Sequence, residues 1–130
     1  MIKGIVVTHG NLAEELLLTT GRIFGDFSDC HAVSNVNKSP QGLTDELAAL
    51  IPDPAEGSCI LFVDFFGGSC SYACFKLLGS HDNIQVVSGV NLPMFLAFLN
   101  KRAEVPLQTL LGEIVERGKS SIQVLTRENL

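Results

Sequence analysis

Three short stretches of this 130-residue chain hold side chains that can do chemistry together. The first is IVVTHGN, Ile5 to Asn11, where a β-branched run delivers the imidazole of His9 between Thr8 and Gly10. The second is ILFVDFFGGS, in which an apolar run stops at Asp64 and passes through Phe65, Phe66, Gly67 and Gly68 to Ser69. The third is VVSGVNLP, which ends on Asn91 and Pro93. A carboxylate beside an imidazole bonds one ring nitrogen, fixes the tautomer and supports a positive ring, leaving the other nitrogen free as nucleophile or base. Two glycines and a serine at a helix start form a natural anion cradle, because backbone N–H groups can approach and the helix dipole favours negative charge. Each feature alone also has a plain structural reading. His9 can be an ordinary strand-end residue, Asp64 a cap or solvated strand end, and Gly68-Ser69 an N-cap with a flexible turn.

These stretches need elements that bring them to one place. Apolar runs alternate with helical patterns along the whole chain. Strands are expected at Ile2–Val7, Cys30–Val36, Cys59–Phe65 and the NIQVVSGV stretch, with a short last strand at SIQVL. Helices are expected from Asn11 to Phe24 (Ala13, Leu16, Leu17, Thr20 and Phe24 inward), from Ser39-Pro40 to Ile51, from Ser69 to Leu78, from Pro93 to Arg102, and from Pro106 to Arg117 with Gly118 as its stop. Such alternation specifies an α/β three-layer sandwich, a mostly parallel central sheet with helices on both faces. Parallel strands end on a common edge, where ligands bind. His9, Asp64 and the glycine turn are therefore expected on that edge.

Composition narrows the function. With 46% hydrophobic and 18% charged residues the chain can build a core, and at this length it buries roughly two-thirds of its extended surface as one domain, residues 1–130. A net charge of -5 without a basic cluster argues against nucleic acid, and no apolar run approaches a membrane span or a signal peptide. Cys70 and Cys74 would share a helix face, but zinc would need two further ligands nearby, so the cysteines read as core thiols and no metal is expected. His31 and His81 read as surface residues. One of Phe65 and Phe66 should face away from the core near the site, as packing or as a docking patch for a protein. The chain has neither a GxxxxGK[ST] phosphate loop nor a GxSxG nucleophile elbow. A nucleophilic histidine beside an anion cradle, without those motifs, points to a phosphohistidine carrier.

The blocks GIVVTHGNLAEELL, ILFVDFFGGSCSYAC and VVSGVNLPMFLAFL, in this order, resemble the IIA component of the mannose/fructose/sorbose family of the bacterial phosphoenolpyruvate-dependent sugar phosphotransferase system. The resemblance places the family's phosphorylated histidine on His9, its carboxylate on Asp64 and the serine of its glycine turn on Ser69, with Asn91 and Pro93 bordering the site. It implies no cofactor. It also implies a cytoplasmic homodimer that exchanges its last strand, a histidine-containing phosphocarrier protein as donor, and a IIB component as acceptor, with the membrane met only through the transporter. Two departures stand out: Phe66 and Cys70 replace a tryptophan and a proline around the glycine turn, and no IIB domain follows Leu130. A related role implied by the resemblance is phosphoryl donation to dihydroxyacetone kinase or a regulatory target. From a different class, a non-catalytic module that holds a small anion also fits the residues.

Overall fold

A computed structural model describes residues 1–130. Four strands, β1 (Lys3–Thr8), β2 (Cys30–Ser34), β3 (Cys59–Val63) and β4 (Ile84–Ser88), form one sheet in the order β2-β1-β3-β4, and every pairing is parallel. The helices are α1 (Leu12–Phe24), α2 (Pro40–Leu50), α3 (Ser69–Leu78), α4 (Leu92–Lys101) and α5 (Leu107–Ser120). Strand β3 is CILFV, buried at every position, as a strand covered on both faces must be.

Side chains alternate across the sheet and divide the core in two. On one face Ile5, Val7, Leu61 and Val63 pack against Leu43 and Leu47 of α2 and Ala73, Cys74 and Leu77 of α3. On the other, Val6, Ile60 and Phe62 meet Ala13 and Leu17 of α1, Phe95 and Phe98 of α4, and Leu110 and Ile114 of α5. The expected three-layer arrangement is what the chain adopts. Because α1 leaves β1 on one face and α3 leaves adjacent β3 on the other, a crevice opens between the exits of these strands.

Several local expectations are corrected. Phe24 is 41% exposed rather than inward, because it lies in the last turn of α1, beyond the sheet. Gly118 does not stop α5, which runs on to Ser120; a Cβ there would sit 2.8 Å from Met94 Cε, so this glycine permits close approach of α5 to α4. Strand β2 ends at Ser34, where Asn35 turns its amide back to the Thr8 carbonyl. SIQVL forms no strand: Ile122, Val124 and Leu125 are 77%, 83% and 81% exposed, since no sheet edge of their own chain supplies ladder partners.

At the opposite end of the sheet, Gly4 admits the ring of Phe98. A Cβ on Gly4 would lie 2.7 Å from Phe98 Cε2 and 3.0 Å from Cζ. Phe98 cannot retreat, being wedged among Phe62 and Phe95 at 5.1 and 5.3 Å with the Arg102 guanidinium over its ring. Gly4→Ala should therefore destabilise the protein by about 1–3 kcal/mol, the usual range for overpacking, read as a lower urea midpoint at unchanged m-value.

Candidate active site

The register of the sheet sets the site. Val7 pairs with Val63, so the next residues of β1 and β3 emerge side by side at the crevice. There Asp64 Oδ2 accepts two hydrogen bonds from His9, one from its backbone N–H and one from ring Nδ1, each 2.9 Å long. Asp64 Oδ1 accepts a third, from the Phe65 amide at 3.1 Å. Partial burial pushes the Asp64 carboxyl up, but the His9 amide, the His9 ring and its charge outweigh that and hold it below the ordinary carboxylate value. An ionised Asp64 that accepts from Nδ1 fixes the proton there, so the lone pair of a neutral ring lies on Nε2.

The rest of the ring is placed by contacts rather than charge. Phe65 stacks on the imidazole, centroids 5.1 Å apart and planes 25° apart. Nε2 faces the start of α3, with Ser69 Oγ 3.5 Å away, long for a hydrogen bond. The imidazole is 38% exposed, whereas the Asp64 side chain is only 11% exposed. The ring thus meets solvent while its orienting partner stays sheltered.

The glycine turn is less uniform than its sequence suggests. Gly67 adopts φ +108°, a left-handed conformation that a side chain would resist, and its amide donates to Ser71 Oγ at 2.9 Å. It shapes the turn, and its amide is already committed, which corrects its expected role as a phosphate donor. Gly68 is the N-cap and Ser69 the first helical residue, so the Ser69 hydroxyl is not spent on capping. The amides of Gly68 and Ser69 have no acceptor within the chain, and both residues lie beside the imidazole. Gly68 is a glycine for a spatial reason, since its backbone is extended but a Cβ would lie 2.7 Å from His9 Cε1 and 2.9 Å from Phe65 Cζ.

The other expected border residues serve the frame. Thr8 is buried, and its Oγ1 accepts the Ala13 amide at 2.7 Å, fastening the start of α1. Gly10 turns the chain at φ +61° and donates its amide to Asn35 Oδ1 at 3.2 Å. Asn91 caps α4 through the Met94 amide at 3.0 Å and donates to the Gly118 carbonyl at 3.1 Å. Pro93 lies in the first turn of α4 and lines a groove with Ile23 and Phe24. Phe66 is 77% exposed and borders a cavity of about 260 Å³ whose walls include Gly68, Tyr72 and Phe75. Sequence reasoning missed Tyr72 and Phe75, although their spacing of three places both on one helix face. It read Cys70 as a core thiol, which it is, but missed that the fold tucks its sulfur beside His9 and Asp64.

A parallel α/β sheet with an imidazole–carboxylate pair at its switch point and a helix start beside it belongs to the class of open α/β proteins that bind anionic groups at the strand exits. The sequence profile described as PTS system fructose IIA component matches residues 3–115. The chain belongs to that family, and it is an EIIA component of the mannose/fructose type. It is 29% identical over 126 residues to the PTS system fructose-specific EIIA component of Bacillus subtilis, covering 95% of this chain and 86% of that protein. It is 27% identical to the PTS system mannose-specific EIIAB component of Escherichia coli K12, covering 93% of this chain and 38% of that protein's length. Among solved structures, the mannose/sorbose specific IIA subunit from Enterococcus faecalis superposes with a TM-score of 0.80 at 26% identity, over 96% of this chain and 95% of that one. No helix is long and apolar enough to cross a membrane.

The geometry at Gly68 is testable directly. Gly68→Ala should keep the fold but swing the imidazole off Asp64, because the ring is the nearer obstacle. The expected result is a changed pair of His9 ring nitrogen shifts by NMR, with the circular dichroism spectrum unaltered. Unmoved His9 resonances would show that the ring does not depend on that space.

Proposed function

We propose that this chain is a phosphoryl carrier of the sugar phosphotransferase system. It accepts the phosphoryl group on His9 Nε2 from the histidine-containing phosphocarrier protein and passes it to a IIB component, in the cytoplasm and without a cofactor. One observation carries this reading: Asp64 occupies Nδ1, and Nε2 is left facing the start of α3, where Ser69 Oγ lies 3.5 Å away and the Gly68 and Ser69 amides have no acceptor within the chain.

Phosphoryl transfer asks the protein chiefly for position and charge. The Nε2 lone pair forms the new P–N bond as the bond from phosphorus to the donor's ring nitrogen breaks. His9 becomes cationic as that bond forms, and the Asp64 carboxylate stabilises it through Nδ1–H. The Gly68 and Ser69 amides and the Ser69 hydroxyl receive the equatorial oxygens. Onward transfer reverses these steps.

Both partners must reach an exposed nitrogen on a protein of net charge -5. Phe66, Tyr72 and Phe75, which are 77%, 68% and 68% exposed, supply an apolar docking face beside the site that does not depend on charge. The tail fits the homodimer that the family resemblance implies. Ile122, Val124 and Leu125 find no cover within the chain and would gain ladder partners on a second subunit.

Single-turnover phosphorylation with phosphoenolpyruvate, the general first enzyme and the phosphocarrier protein tests the assignment. His9→Ala should take up no acid-labile phosphate, since His31 and His81 lie outside the site. Asp64→Asn should slow transfer about 10–1000-fold with the fold kept. Ser69→Ala should raise the barrier by about 1–3 kcal/mol. Phosphate on a folded His9→Ala protein would sink the assignment, and wild-type rates in Asp64→Asn would remove the pairing. Separately, deleting Ser121 onward should convert dimer to monomer in sedimentation at low micromolar concentration; an intact dimer would rule out tail exchange.

A further inference from the structure

The thiol of Cys70 has no part in the phosphoryl reaction, yet the fold sets it against the two residues that do. One imidazole nitrogen of His9, one carboxylate oxygen of Asp64 and the sulfur of Cys70 all lie within 4.8 Å of one another. No other trio of histidine, cysteine and acidic side chains in the chain comes together this way. The three arrive from separate elements, His9 from the exit of β1, Asp64 from the exit of β3 and Cys70 from the first turn of α3. Cys70 shares the buried core with Cys59 and Cys74, but neither of those joins a histidine and an acid, and Cys30 lies beside Arg102 at the far end of the sheet.

We propose that His9, Asp64 and Cys70 bind a soft divalent cation of the Zn²⁺ class, and that its binding and the phosphorylation of His9 exclude each other. The donor set selects the metal. Nitrogen, sulfur and a single carboxylate suit Zn²⁺, whereas Mg²⁺ and Ca²⁺ require oxygen ligands throughout. Ligand atoms around tetrahedral zinc stand roughly 3–4 Å apart, given bond lengths of about 2.0–2.3 Å, so a spread of 4.8 Å closes with small side-chain movements. Three protein ligands leave the fourth position to water, and the exposed imidazole gives the ion its way in.

The chemistry of capture is simple. The thiol proton passes to solvent and the thiolate binds the metal. The imidazole gives up one lone pair and keeps its single proton on the other nitrogen. Whichever ring nitrogen binds, the phosphoryl route is blocked. At Nε2 the metal occupies the acceptor itself, and at Nδ1 it breaks the bond to Asp64 that supports the cationic ring. This exclusion rests on the phosphoryl-carrier reading; the metal site does not.

The experiment separates the two. Purified protein, reduced with a phosphine, is titrated with Zn²⁺ by calorimetry and with Co²⁺ by absorption. The wild-type chain should bind a single equivalent, show a thiolate-to-cobalt charge-transfer band and shift the His9 ring resonances while leaving those of His31 and His81 in place. Cys70→Ala should lose the band and weaken Zn²⁺ binding at least about tenfold, the minimum seen even for residues that only support a metal ligand. A band of full strength in Cys70→Ala overturns the site. So do ring shifts confined to His31 or His81, a readout that needs no variant to fold. In the phosphorylation assay, Zn²⁺ should slow the wild type, and Cys70→Ala should need at least tenfold more for equal inhibition while matching the wild-type rate in its absence. Zn²⁺ bound at His9 without any slowing overturns the exclusion. A wild-type chain that takes up no phosphate at all refutes the carrier reading instead and leaves the titrations to decide the metal site.

Discussion

Asp64 holds the site together because one oxygen of its carboxylate accepts both the amide and the ring of His9. The amide bond ties the exit of β1 to the exit of β3, and the ring bond fixes which nitrogen is left over. A carboxylate with three N–H donors around it is satisfied as an anion, so it stays ionised although its side chain is largely sheltered. Every other element of the site refers to this clamp. Phe65 stacks on a ring that is already oriented, Gly68 leaves room for that ring, and Ser69 at the start of α3 lies toward the nitrogen that Asp64 does not use.

The clamp works only because the sheet beneath it is rigid and in register. Val7 and Val63 are paired neighbours, each fully buried, with core on both sides of the sheet. At the far end the frame is locked by Arg102, which is 3% exposed and has no acidic partner within ion-pair distance. Its guanidinium donates to the Ser28 carbonyl at 2.6 Å and to the Ile2 carbonyl and Cys30 sulfur at 3.4 Å, and it lies over Phe98. A buried cation satisfied by carbonyls is costly to disturb, and this one joins α4 to the beginnings of β1 and β2.

The surface beside the clamp is divided in chemistry. Toward α3 it is aromatic, with Phe66, Tyr72 and Phe75 around a shallow cavity. Toward β2 it is polar, with Asn11, Glu14, Ser34 and Lys38 around a second one of about 320 Å³. An imidazole between an apolar and a polar wall is open to a protein surface on one side and to water on the other. Cys70 sits beneath this boundary, where burial and then the charge of Asp64 push its thiol up to about 11. In the free protein it is therefore a neutral neighbour of the clamp.

The sequence by itself determined the alternation of strands and helices, the common edge, and the pairing of His9 with Asp64, because these follow from periodicity and from how parallel strands must end. It also marked the glycine turn and Ser69. Only the tertiary structure separated Gly67 from Gly68, since one is needed for a backbone angle and the other for the space of a ring that lies 59 positions away in the chain. Gly118 read as a helix stop until Met94 was seen packed against it, and the framing bonds of Thr8 and Asn91 were equally invisible in the sequence. SIQVL has the composition of a strand, but a strand exists only where an edge receives it. Local pattern records what a segment prefers. Which atoms meet across the sheet depends on register and crossover, and those are settled by the packing of all five helices at once.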